Sequence, residues 1–302
     1  MAGHGNSARA IFYALGANVG IFVAKAAAAV LTGSGAMLAE AVHSLADCGN
    51  QGLLLFGMKR ATRPPTLDHP LGYGKEVYFW SFLVALMLFS VGGAFSVYEG
   101  IHKLGHPEPL ARPWLGVGVL LFSVVLEWWS LRACMQEIDA TRDGQSLWKW
   151  FRESRNSEMI VVFGEQVAAL LGLLAALAAV ALSLVTGDPL YDAIGTLLIG
   201  VLLIVIAVFV AVEVKALLIG QSVEPARRAA ICKFLADRDD IVEVFNVITL
   251  QLGPDVMVAI QASLGDDMRA AELVQRINAI EADLRLAFPE VKWSFFEPDD
   301  SD

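Results

Sequence analysis

Apolar residues recur along this chain in long unbroken runs, not at the spacing of a soluble amphipathic helix or a half-buried strand. Six such runs can be drawn, 10–31, 37–58, 77–101, 113–135, 159–185 and 189–214, with Gly, Pro or charge marking the turns between them. Each is long enough to cross a bilayer, where roughly 20 residues suffice. The pattern predicts an α-helical membrane protein of six transmembrane helices over residues 1–220. From Gln221 the chain is charged and patterned like a small soluble unit, 221–302. There 225–237 is amphipathic, 241–252 and 256–264 are β-branched and apolar around the turn Gly253-Pro254-Asp255, 270–286 has helical period, and 291–296 reads as a last strand. Helix, strand, strand, helix, strand suits an α+β unit with helices on one face of an open sheet.

The polar exceptions inside the apolar runs carry the chemistry. The run 37–58 contains Glu40, His43, Ser44, Asp47 and Asn50, at offsets of three, four, seven and ten from the first. At 3.6 residues per turn these five share one stripe, so the opposite face is free to meet lipid. Ionisable groups in hydrocarbon are unfavourable by about 3 kcal/mol each on insertion scales, and they normally face a bundle interior or an aqueous cavity. The stripe therefore reads as one wall of an ion site. In the fifth run Glu165 stands among Val, Ala and Leu, followed by Gln166, with Glu158 seven residues earlier near the membrane boundary. An imidazole and two carboxylates suit Zn²⁺, Mn²⁺, Fe²⁺ or Co²⁺. Without the cation, buried carboxyls favour their protonated form, so metal and protons compete for one site. His43, Asp47 and Glu165 are the expected metal ligands, although Glu165 has a second reading as the partner of Lys25 in the first run. Ser44 is open between backbone bonding and weak ligation, and Glu40 and Asn50 read as groups behind the ligands or lining the pore. Asp68 and His69, in the connection TLDHPLGYGKE, are either turn residues or a low-affinity metal capture site at the cytoplasmic mouth.

Composition agrees with the pattern. The chain is 56% hydrophobic, with a mean hydropathy of +0.57, above what soluble domains show. A formal net charge of −10 without a basic footprint excludes nucleic acid as partner. Cys48, Cys134 and Cys232 lack the paired spacing of a thiolate metal site and read as packing residues. No small-residue cleavage pattern follows the N-terminal MAGHGNSARA, so the first run is expected to be retained. Lys59, Arg60, Arg63 and Lys75 flank the second connection, and Arg142, Lys149, Arg152 and Arg155 lie in the fourth. The third holds only Lys103 and Arg112, and the first and fifth carry no base. The positive-inside rule then puts both termini in the cytoplasm. SLWKWFRESR has the composition of an interfacial connector. No HExxH motif, activated nucleophile pair or second membrane histidine supports an enzyme.

LAEAVHSLAD, DHPLGYGKE, VYEGIHKL and LYDAIGTLLIG together resemble the cation diffusion facilitators, proton-coupled exporters of divalent metals. Within that family FGEQVAALL is similar to the branch represented by human zinc transporter nine. The resemblance covers nearly the whole chain. It implies a cytoplasmic ferredoxin-like dimerisation unit, a homodimer, proton antiport by alternating access, zinc as first cargo, no cofactor, and a multi-pass location of bacterial inner-membrane type. The family's helix-two pair carries over to His43 and Asp47. Its fifth-helix pair does not: only Glu165 stands there, with Val161 and Ala169 a turn to either side, so the fourth ligand is water, Gln166 or Ser44. Residues 221–302 contain no His, so the family's cytoplasmic metal sensors are missing. Lys75 matches a family lysine that pairs with an acid after the sixth helix, for which Glu224 is the nearest candidate. The departure in the fifth helix also admits a second reading, a non-transporting metal-binding or scaffold subunit.

Overall fold

A computed structural model gives the fold; it describes residues 2–32, 35–105, 113–142, 144–265 and 268–300. The side chains of residues 2–6, 29, 31–32, 35–40, 42–43 and 113 lie outside the described set, and Glu40 and His43 are among them. Long helices dominate: α1 (Ala2–Thr32), α2 (Gly35–Ala61), α3 (Glu76–Met87), a π-helical segment π1 (Leu88–Ala94), α4 (Phe95–Gly105), α5 (Pro113–Asp139), α7 (Ser157–Thr186) and α8 (Leu190–Ile219). Between α5 and α7 lies the short α6 (Leu147–Glu153).

Five stretches among the described residues are long and apolar enough to span a bilayer: Ser7–Ala28, Glu76–Gly105, Trp114–Asp139, Ser157–Thr186 and Leu190–Ile219. Against the expected six, α2 does not count among the five; much of its N-terminal half lies outside the described side chains. It nonetheless packs along both α1 and α3. The outward faces are apolar, with Phe122, Val125 and Trp129 on α5 and Val201, Val205 and Val212 on α8 exposed. A soluble protein would not show contiguous apolar surface on this scale, and the molecule is a multi-pass integral membrane protein.

The third apolar run is where the expectation of one continuous α-helix fails. α3 and α4 are joined by π1, which contains Gly92 and Gly93, and π segments arise as single-turn insertions in helices. Small residues let this run press against α8. A Cβ on Gly93 would lie 2.6 Å from Ile204 Cγ1, and one on Gly200 would lie 2.6 Å from the Val97 backbone nitrogen. Close backbone approach of this kind is the usual basis of helix association in lipid. The connector α6 starts at Ser146, whose hydroxyl accepts from the Lys149 amide at 3.2 Å. Its Trp150 and Phe151 are buried against Phe163 of α7, so it is anchored in the bundle rather than lying loosely on its surface.

Beyond Gly220 come α9 (Pro225–Ala236), β1 (Glu243–Leu252), β2 (Asp255–Ser263), α10 (Ala270–Ala287) and β3 (Val291–Pro298), in the order the pattern predicts. β1 and β2 pair antiparallel and β2 and β3 parallel, giving a mixed three-stranded sheet in the order β1-β2-β3. Alternate residues of β2, Val256, Val258, Ile260 and Ala262, point into one core with Ile231 and Leu235 of α9 and Ile280 and Leu284 of α10. That core is separate from the one between the membrane helices.

Candidate cation site

The acid of α7 faces inward. Glu165 is 5% exposed, and α2 supplies its hydrogen-bond donors: Asn50 Nδ2 donates to Oε1 at 3.4 Å, and Gln51 Nε2 donates to Oε2. Asn50 and Gln51 lie one helical turn beyond Asp47, at offsets of three and four, so all three share the polar stripe of α2. The charge of Asp47 acts on Glu165. α2 and α7 thus meet through Asn50, Gln51 and Glu165.

The histidine of the predicted ligand set, His43, lies outside the described residues, as does Glu40. Among the described residues no three His, Cys, Asp or Glu side chains come close enough to hold one ion. Ser44 is buried on α2, and Gln166 is buried on α7 with its Oε1 unpartnered. Asn50 Oδ1 and Gln51 Oε1 are likewise buried acceptors without a donor. Buried polar atoms are nearly always satisfied, so spare acceptor oxygens beside two carboxylates are chemistry suited to a cation. The alternative pairing of Glu165 with Lys25 is not what the geometry gives, since both hydrogen bonds of Glu165 go to α2. The charge of Asp47, and after it that of Lys25, acts on Glu127 of α5, a residue the sequence reading passed over.

Asp47 and Asn50 also border a small cavity closed on its far side by Met87, Leu88, Val91 and Gly92. The π segment therefore stands opposite Asp47, consistent with the tendency of π turns to occur at functional sites. In the connection between α2 and α3, Asp68 and His69 are exposed. The His69 ring stacks on Tyr73, 4.4 Å between centroids, and its backbone amide donates to Thr66 Oγ1 at 3.2 Å. That is the turn-residue reading of this connection. A larger cavity lies among the N-terminus of α1, the end of α5 and α6, with Ser7, Glu137, Thr141, Glu153 and Glu224 in its wall. Lys75 Nζ reaches the neighbourhood of Gly220, and the charge of Glu224 acts on Arg155. Glu213 of α8 pairs with Arg152 at 3.3 Å.

The bundle of apolar helices thus holds a buried carboxylate, Glu165, against the amides of Asn50 and Gln51. The family model for the cation efflux transmembrane domain matches residues 11–219. The chain belongs to that family, the cation diffusion facilitators. It is 32% identical over 226 residues to "Proton-coupled zinc antiporter SLC30A9, mitochondrial" of Homo sapiens, covering 74% of this chain and 40% of that protein. The Xenopus laevis protein of the same name is 32% identical over 273 residues, 90% of this chain and 48% of its own length. "Metal tolerance protein C4" of Arabidopsis thaliana is 30% identical over 251 residues, 82% of this chain and 55% of that protein. The chain thus spans about half the length of these relatives, and within the family it is homologous to the zinc-antiporter branch.

Proposed function

We propose that this chain carries a divalent transition-metal cation, Zn²⁺ first among the candidates, out of the cytoplasm in exchange for protons by alternating access. The observation that carries the reading is Glu165, buried in the membrane and turned to the α2 face that bears Asp47. His43, Asp47 and Glu165 hold the cation, with Gln166, Ser44 or water completing its shell, and they take protons when it leaves. Relatives named as proton-coupled zinc antiporters support zinc as cargo and the proton as counter-ion. The oxygen-rich donor set also leaves Mn²⁺, Fe²⁺ and Co²⁺ as substrates to be ranked. We further propose six crossings with α2 as the second, both termini cytoplasmic, a boundary near Gly220, and a ferredoxin-like C-terminal unit through which two copies associate. An inner membrane of bacterial type suits such a chain, although the relatives include mitochondrial proteins. Asp68 and His69 remain candidates only for transient capture.

The test is flux. In proteoliposomes with an imposed pH gradient, the wild-type chain accumulates Zn²⁺ and Asp47→Ala reduces uptake to background while its melting temperature is unchanged. Undiminished uptake by Asp47→Ala would refute the assignment. Ala169 and Val161 in place of a second α7 ligand pair favour one competing reading, a metal-binding subunit that does not transport. Saturable equilibrium binding without gradient-driven flux would select it.

A further inference from the structure

Glu127 of α5 is 3% exposed, and its Oε2 has no hydrogen-bond partner. Ser123, one turn before, and Ser130, one turn after, are as deeply buried, and their hydroxyls also have no partner. Offsets of four and seven put the three on one face of the helix. That face continues through buried Cys134 to Glu137, which lines the cytoplasmic cavity.

Mid-helix hydroxyls are ordinarily accounted for by a bond to the carbonyl one turn earlier. Elsewhere in this molecule they make it: Ser90 donates to the Leu86 carbonyl at 2.8 Å, and Ser96 to the Gly92 carbonyl at 2.6 Å. Ser123 and Ser130 do not, so packing alone leaves them unexplained. Every buried side-chain atom without a partner among the described residues is an oxygen, contributed by α2, α5 and α7. Spare carboxylate, amide and hydroxyl oxygens, with no spare N–H among them, suit a cation.

We infer that Glu127, with the hydroxyls of Ser123 and Ser130 beside it, is a further cation-binding station, set between the cytoplasmic cavity and the Asp47–Glu165 site. The inference rests on the carrier function proposed above. Glu127 supplies from α5 the second acid that α7 lacks. No three ligating groups among the described residues lie within reach of one ion, so Glu127 takes the cation at a different step from Asp47 and Glu165. A carboxylate with hydroxyls is a harder ligand set than one with an imidazole, so the station admits Mn²⁺ as readily as Zn²⁺.

The experiment measures flux from the cytoplasmic side and the melting temperature of the full chain. Glu127→Gln raises KM for Zn²⁺ and for Mn²⁺ about tenfold, and Glu127→Asp restores most of it. Ser123→Ala raises KM several-fold at an unchanged melting temperature, which keeps the proposal testable if Glu127→Gln folds poorly. The double variant Lys25→Met, Glu127→Gln separates binding from charge pairing: the station requires KM to stay high in it. Recovery of both KM and melting temperature in the double variant would show that Glu127 only neutralises Lys25, and would overturn the inference. An unaltered KM in Glu127→Gln and Ser123→Ala defeats it while leaving the carrier standing. Absence of any flux in the wild type defeats the carrier reading, and this one with it.

Discussion

Arg238 Nε donates to Asp240 Oδ1 at 2.8 Å and Nη2 to Oδ2 at 2.9 Å, while Nη1 reaches Asp283 Oδ2 at 2.8 Å. The fork geometry of the guanidinium makes this the best-formed ion cluster in the C-terminal unit. The Arg238 hydrogen bond holds the Asp240 carboxyl below its ordinary value. A folded-state value below the unfolded one stabilises the fold above the unfolded value, about 3.9, and that stability is lost as pH falls through the folded value. Asp240→Asn should therefore lower the melting of the C-terminal unit at neutral pH, and the gap to wild type should close below about pH 4. Calorimetry of the full chain across that range checks the sign. The same residue-level reading was only partly available in the membrane. Asp47 and Glu165 stand out because ionisable residues are rare in apolar runs. Gln51 extends the same stripe by one position, and Glu127 carries the same signal with Ser123 and Ser130 at helical offsets. Glu127 is masked in the sequence by Trp128 and Trp129, which give its neighbourhood the look of a membrane interface.

At the scale of elements, close contact of the third run with α8 depends on positions where no side chain fits. A Cβ on Gly100 would stand 2.7 Å from the Leu197 backbone nitrogen and 2.8 Å from its Cα, so neither helix can yield locally. Gly118 of α5 has nothing within 4 Å of the same position. Gly100→Ala should destabilise the detergent-solubilised protein by about 1–3 kcal/mol through overpacking. Gly118→Ala should be neutral or stabilising by up to about 1 kcal/mol, since Ala favours a helix over Gly. Thermal unfolding of the two variants side by side separates them, and equal effects would show that α4 and α8 do not meet as described. The order of the long helices was legible because a bilayer demands unbroken apolar length, whereas their number as spans was not, since five stretches among the described residues qualify against the six expected. The π segment was not, since inserting one residue in a turn changes hydrogen-bond register without changing composition. The strands of the C-terminal unit were legible because β2 alternates strictly, with Val256, Val258, Ile260 and Ala262 on its inner face.

At the scale of the molecule, the membrane helices and the C-terminal sheet are joined where two backbones almost touch. The turn between β1 and β2 places Gly253 at φ 68°, a left-handed conformation that favours glycine. A Cβ on Gly74, ahead of α3, would fall within 2.0 Å of the Leu252 carbonyl oxygen. The Gly253 amide donates to the Tyr78 hydroxyl at 2.8 Å, and Tyr78 is fully buried in α3. A second tie is Arg155 Nε, which donates to the Ser222 carbonyl at 2.7 Å. α3 leads directly into π1, which faces Asp47 across the small cavity, so the hairpin turn is mechanically one helix away from the candidate site. Tyr78→Phe keeps the ring and removes the acceptor, leaving a half-buried N–H unpaired, a loss of about 1 kcal/mol confined to this junction. Hydrogen exchange at the Gly253 amide should accelerate several-fold in Tyr78→Phe, while the amides of β2 keep their wild-type protection. If the whole sheet loses protection together, the contact supports the C-terminal fold itself. If Gly253 alone responds, the sheet folds independently and the tyrosine serves to couple its position to α3.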